Sequence, residues 1–187
     1  MTPTEQLDVV LPSLVDLAGT ISSDQLGDPT PCAAFDVRGV LNHMIGGAGF
    51  FAAQFRGEPV PTPPAPGTDL GGDDPAASFV AAMVALHAAV AAPGALDRTV
   101  VAPFGEVPGE VAARFLALDG LVHGYDLATA TGQAYAPPES LVDEVRAFAA
   151  QAIAPEMRDG DTFAAAVEPP ADASSLVRLV AFTGRVV

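Results

Sequence analysis

Apolar residues recur along most of the chain at three- and four-residue steps, the period that gives an α-helix one buried stripe. Leu7, Val10, Leu11, Leu14 and Leu17 mark a first helix running from about Thr4 to Ile21. After the polar stretch SSDQLGDPTPC, Asp36 reads as the N-cap of a second helix, VRGVLNHMIGGAGFFAAQF, striped by Val37, Val40, Leu41, Met44, Ile45 and Ala48. Asp74-Pro75, a capping residue followed by proline at the first helical position, opens a third helix that Pro93-Gly94 stops. Pro108 opens the longest segment, GEVAARFLALDGLVHGYDLATAT, which Gly132 should end. Pro137-Pro138-Glu139 opens a fifth helix, and a last one runs from about Ser174 to Thr183 before Gly184.

Two segments break this rhythm. Residues 57–74, GEPVPTPPAPGTDLGGDD, are rich in proline and glycine without periodicity and should form a long surface loop, a candidate lid. Residues 97–103, DRTVVAP, have short strand character. Four long helices with short joins, apart from that one loop, predict an all-α antiparallel four-helix bundle with extra short helices and a minor extended segment. A chain of 187 residues is expected to form a single domain over 1–187, with residues 160–187 as a C-terminal extension packed on the bundle.

Composition narrows the function classes. The net charge is −15, from 23 acidic residues against 8 basic ones, all arginine, so a phosphate backbone or an anionic membrane surface is disfavoured as a partner. The uninterrupted apolar runs fall short of a membrane span, and the first residues lack the basic n-region of a secretory signal. One cysteine, Cys32, excludes an internal disulfide framework and fits a reducing cytoplasm. The absence of lysine beside abundant Ala, Gly, Pro, Arg and Val marks a GC-rich genome.

The candidate chemistry lies in DGLVHGYDLATATG, residues 119–132, which sets Asp119, His123 and Asp126 along one side of an otherwise apolar helix. A carboxylate and an imidazole one turn apart can hold the same divalent metal, and His43, mid-way along the second helix, is the natural third ligand. Three protein ligands leave coordination positions free, as catalytic metal sites do. Taken by itself the DxxxH spacing is weak, because helical histidines are more often hydrogen-bonded core or surface residues. Asp126 reads as a supporting acceptor ahead of a fourth ligand. His87, among apolar neighbours on the third helix, reads as a packing histidine and a reserve ligand. Cys32 precedes a helix N-terminus that could activate its thiol, although a buried structural role is commoner. Arg178 and Arg185 could meet an anionic substrate if the last helix folds over the site, surface ion pairs being the commoner role. GGAG, residues 46–49, lacks the strand and lysine of a phosphate loop and reads as close helix packing.

The stretches PTPCAAFDVRGVLNHMIGG, LVHGYDLATATGQ and ADASSLVRLVAFTGR resemble the DinB-like metal-binding proteins, in the branch related to mycothiol-dependent maleylpyruvate isomerase. The resemblance runs from near Pro31 through Gly184. It implies a four-helix bundle holding a divalent metal, most often Zn2+, with Ni2+ or Fe2+ as alternatives, on His43, Asp119 and His123. Tyr125 stands where the motif usually has tryptophan, Asp119 where the isomerase has glutamate, and the chain is short of that enzyme's additional C-terminal domain. The resemblance implies a thiol-dependent metalloenzyme, a transferase or isomerase with mycothiol as cosubstrate and a small electrophile as substrate. A non-catalytic metal-binding protein of unknown or stress-related role and a metal-dependent hydrolase are the competing expectations, and a homodimer through an apolar helix face is a further one.

Overall fold

The computed structural model describes residues 1–187 except 66 and 161. Four long helices make the bundle: α1 Pro3–Ala18, α2 Val37–Phe55, α3 Pro75–Val90 and α4 Gly109–Thr131. Two shorter ones follow, α5 Glu139–Ala152 and α6 Ser175–Phe182. A hairpin of β1 Thr99–Ala102 and β2 Gly105–Pro108 joins α3 to α4, antiparallel with Thr99 opposite Pro108 and Ala102 opposite Gly105. The fold is the expected all-α DinB-like bundle, its extended segment resolved as this hairpin. Single 3₁₀ turns at Ser23–Gly27 and Pro155–Met157 lie in stretches without apolar periodicity.

The helix starts obey local chemistry. Thr2 and Glu5 form a capping box on α1, Asp36 accepts from the Gly39 amide at α2, and Asp74 accepts from the Ala77 amide ahead of Pro75 at α3. Gly132 ends α4 in the left-handed conformation, φ 70°, that a side chain would resist.

α1 and α2 each pack on both α3 and α4, α5 lies on α4, and α6 lies on α5 and α4. Leu7, Leu14, Leu41, Phe55, Phe79, Leu118 and Leu121 fill the core with side chains essentially inaccessible to solvent. Neighbours surround α4 on most of its circumference, so its polar residues need partners inside the protein. Small residues make the closeness feasible: a Cβ on Gly120 would stand 2.5 Å from Val10 Cγ1 of α1. Among the described residues, no helix is long and apolar enough to cross a membrane.

The 57–74 loop does not serve as a lid. Asn42 of α2 accepts hydrogen bonds from the Leu70 and Gly71 amides, and Arg38 pairs with Asp69 at 2.8 Å, so the end of the loop is laid along α2. None of its described residues lines the cavity below, and residue 66 within it lies outside the described residues. In the GGAG stretch only Ala48 takes the expected packing role, buried in the core, while Gly46 accommodates Leu70 of this loop and Gly47 and Gly49 face open space.

Candidate metal centre

A cavity of about 560 Å3 opens into the bundle, and its polar end is built by α2 and α4. His43 reaches it from α2, and Asp119 and His123, one helical turn apart on α4, reach it from the facing side. Asp119 Oδ1 lies 3.5 Å from His43 Nε2 and 3.5 Å from His123 Nε2. One donor atom from each residue falls within 4.8 Å of the other two. Two ligands about 2.0–2.1 Å from a tetrahedral zinc stand roughly 3.3 Å apart. The N, N, O donor set therefore suits a divalent metal in chemistry, and both Asp119–imidazole separations lie close to that span.

Burial separates the members. The side chains of His43 and Asp119 are 41% and 37% exposed, because they face the cavity, whereas His123 is 6% exposed. Phe35, from the segment before α2, stacks on His43 with ring centroids 5.3 Å apart and 29° between planes. The two imidazoles meet edge to face at 4.9 Å. Phe35 was invisible as a site residue in the sequence, since a single aromatic outside any helical stripe carries no spacing signal.

Charge is balanced within this group. Desolvation by the surrounding protein would raise the Asp119 carboxyl, but the charge of His123, the hydrogen bond and charge of His43, and Arg185 together pull it down to about 2. Burial pulls the His43 imidazole down, and the hydrogen bond and charge of Asp119 outweigh it, so His43 holds its proton above the usual 6.5. Without a metal, the carboxylate between two imidazoles acts as the centre of a small ion-pair network.

Asp126, three residues beyond His123, is fully buried and turned away from the cavity into the core. Its Oδ2 lies 2.9 Å from His123 Nδ1 and 2.9 Å from an Arg185 Nη, and Arg185 Nε approaches Oδ1 at 3.4 Å. Arg185 thus reaches the site from the C-terminal end of the chain. Arg178 does not: it donates to the carbonyls of Ala171 and Ala173. His87 is also elsewhere, half-buried and paired with Asp8 of α1 at 2.6 Å. Cys32 is half-buried in the cavity wall, its amide donating to Thr30 Oγ1. The remaining wall is largely apolar, with Phe51 of α2, Phe104 of the hairpin turn and Phe115 of α4.

The comparisons agree with this architecture. Residues 10–128 match the family model of the mycothiol maleylpyruvate isomerase N-terminal domain. Uncharacterized proteins from two strains of Mycobacterium tuberculosis are each 35% identical over 175 residues, 91% of this chain and 91% of the relative. The crystal structure of the mycothiol-dependent maleylpyruvate isomerase superposes with a TM-score of 0.61 at 14% identity, covering 76% of this chain and 67% of that one, a likeness of fold. With the family model covering well over half of the chain and reaching all four bundle helices, the chain belongs to the mycothiol maleylpyruvate isomerase N-terminal domain family of DinB-like proteins.

Proposed function

We propose that His43, Asp119 and His123 hold a divalent metal, Zn2+ ahead of Ni2+ or Fe2+, and that the protein uses it to engage mycothiol for transfer to, or isomerisation of, a small electrophile. The observation that carries this reading is the convergence of two imidazole Nε2 atoms and one carboxylate oxygen at the polar end of an otherwise apolar cavity. Bound there, a divalent metal would supply Lewis acidity that favours the thiolate form of a thiol.

The chain's own residues supply the rest. Asp119 contributes the negative charge that offsets the cation, and Phe35 restrains the ring of the more exposed ligand, His43. The walls around Phe51, Phe104 and Phe115 are apolar and suit the apolar body of an electrophile. A reducing cytoplasm belongs to the same reading, since a free thiol cosubstrate and a lone cysteine both fit it.

Elemental analysis of protein purified in metal-replete buffer tests the first half. One divalent ion per chain is expected in the wild type, and loss of that ion in His43→Ala and in His123→Ala. A wild type without stoichiometric metal overturns the site. Cobalt-loaded protein tests the second half: addition of mycothiol is expected to change the visible cobalt spectrum. An unchanged spectrum removes the thiol and leaves a metal-binding protein.

A further inference from the structure

The chain of contacts Arg185–Asp126–His123 connects the C-terminal end of the protein to the rim of the candidate metal centre. We propose that Arg185 is a positioning residue: through Asp126 it fixes the tautomer and orientation of His123, so that the site is complete only with the C-terminal residues in place. The inference rests on the metal reading above for its consequence, but its structural part stands on contacts alone.

A carboxylate accepts and cannot donate, so Asp126 Oδ2 at 2.9 Å requires a His123 proton on Nδ1 and turns Nε2 toward Asp119 and the cavity. The same Oδ2 accepts from Arg185, whose second contact on Oδ1 makes the grip two-pronged and stops the carboxylate rotating. Asp126 is fully buried and Arg185 only 12% exposed, so water does not compete for either partner.

The local chain is built to deliver this side chain. α6 ends at Phe182, and Gly184 turns in the left-handed region at φ 99°, with the Arg185 amide donating back to the Val180 carbonyl. A Cβ at Gly184 would stand 2.5 Å from Ala164 Cβ and 3.0 Å from Ala164 backbone, so no other residue fits the turn. The turn is clamped by Arg158, which donates to the carbonyls of Ala164 and Phe182 and lies over the Phe182 ring. Sequence alone suggested an anion-binding arginine, but this guanidinium already has its anion in Asp126.

The test uses the full chain labelled with 15N histidine, metal-free, at pH 8. Long-range 1H–15N spectra should show a proton fixed on His123 Nδ1, hydrogen-bonded to Asp126. In Arg185→Met the Nδ1–H signature should give way to a tautomer mixture, with Arg185→Lys intermediate. Cobalt affinity should fall about 10–100-fold in Arg185→Met, the usual effect of losing a partner behind a metal-binding histidine. Should Arg185→Met fail to fold because Asp126 is left buried and unpaired, Asp126→Leu/Arg185→Met removes both charges and is expected to show the same two changes. A single Nδ1–H tautomer and cobalt affinity within twofold of wild type in a folded Arg185→Met overturn the proposal, as do the same results in the double variant. If the wild type binds no cobalt, the metal reading fails, while the tautomer spectra still decide the role of Arg185.

Discussion

Replacing Asp119 by asparagine keeps the size of the side chain, removes its charge and exchanges one acceptor oxygen for an amide donor. In the metal-free protein that charge is shared with His43 and His123 at 3.5 Å each. The Asp119 carboxyl is depressed from 3.8 to about 2, so its contribution is present above pH 3.8 and is lost as pH falls toward 2. The His43 imidazole is raised above 6.5, so its contribution is present below that value and is lost as pH rises through its raised pKa. Both signs hold together only between roughly pH 4 and pH 6.5. A carboxyl moved from 3.8 to about 2 corresponds to at most roughly 2.5 kcal/mol at about 1.36 kcal/mol per pH unit. Because the side chain is 37% exposed, solvent screening reduces this to about 1 kcal/mol. For a chain of this length that is a loss of about 2–4 °C in Tm. Thermal unfolding in EDTA should therefore show Asp119→Asn less stable than wild type by that amount at pH 5.5, with the difference shrinking as pH rises above 6.5 through the raised pKa of His43. A difference that does not change with pH, or none at pH 5.5, would refute this charge pairing.

Metal affinity should run in the opposite direction with pH. Ligation requires a neutral imidazole, so competition titrations should show zinc binding weakening as pH falls through the raised pKa of His43. Gly120→Ala and Gly49→Ala make a matched pair in helix interiors. At Gly120 the new methyl meets Val10 Cγ1 at 2.5 Å, an overpacking cost of about 1–3 kcal/mol that exceeds the roughly 1 kcal/mol gained in helix propensity. At Gly49 nothing lies within 4 Å, so urea unfolding should show a gain of up to about 1 kcal/mol. Asn42→Ala strips the acceptor from the Leu70 and Gly71 amides, and limited proteolysis within residues 57–72 should accelerate about tenfold, the equivalent of about 1.4 kcal/mol.

The helices were legible because each carries its own instructions. The stripe Leu7, Val10, Leu11, Leu14, the caps Asp36 and Asp74 and the stop at Gly132 act within a turn or two of the chain, and the structure places each where its spacing requires. Asp119 and His123 were legible as a pair for the same reason, since four residues along a helix is one turn. The lid reading failed because proline and glycine content reports that a segment is a loop and says nothing of where it lies. Only the bonds from Asn42 and Arg38 lay this one along α2, away from the cavity.

The roles of Asp126 and Arg185 show where local information ends. By spacing, Asp126 stands three residues from His123 just as His123 stands four from Asp119, and nothing in the sequence says which carboxylate faces the cavity. Tertiary packing decides it: with neighbours on most sides of α4, the small rotation between these positions carries Asp119 to the opening, 37% exposed, and Asp126 to full burial. A buried carboxylate needs a cation, and the partner comes from Arg185, 59 residues further along the chain, at a separation no periodicity can encode. The sequence by itself determined the helices, the acid–imidazole stripe and the family. Which donors converge, and what holds them, was decided only by how the helices pack, because side-chain burial and charge pairing are properties of contacts between elements distant in sequence.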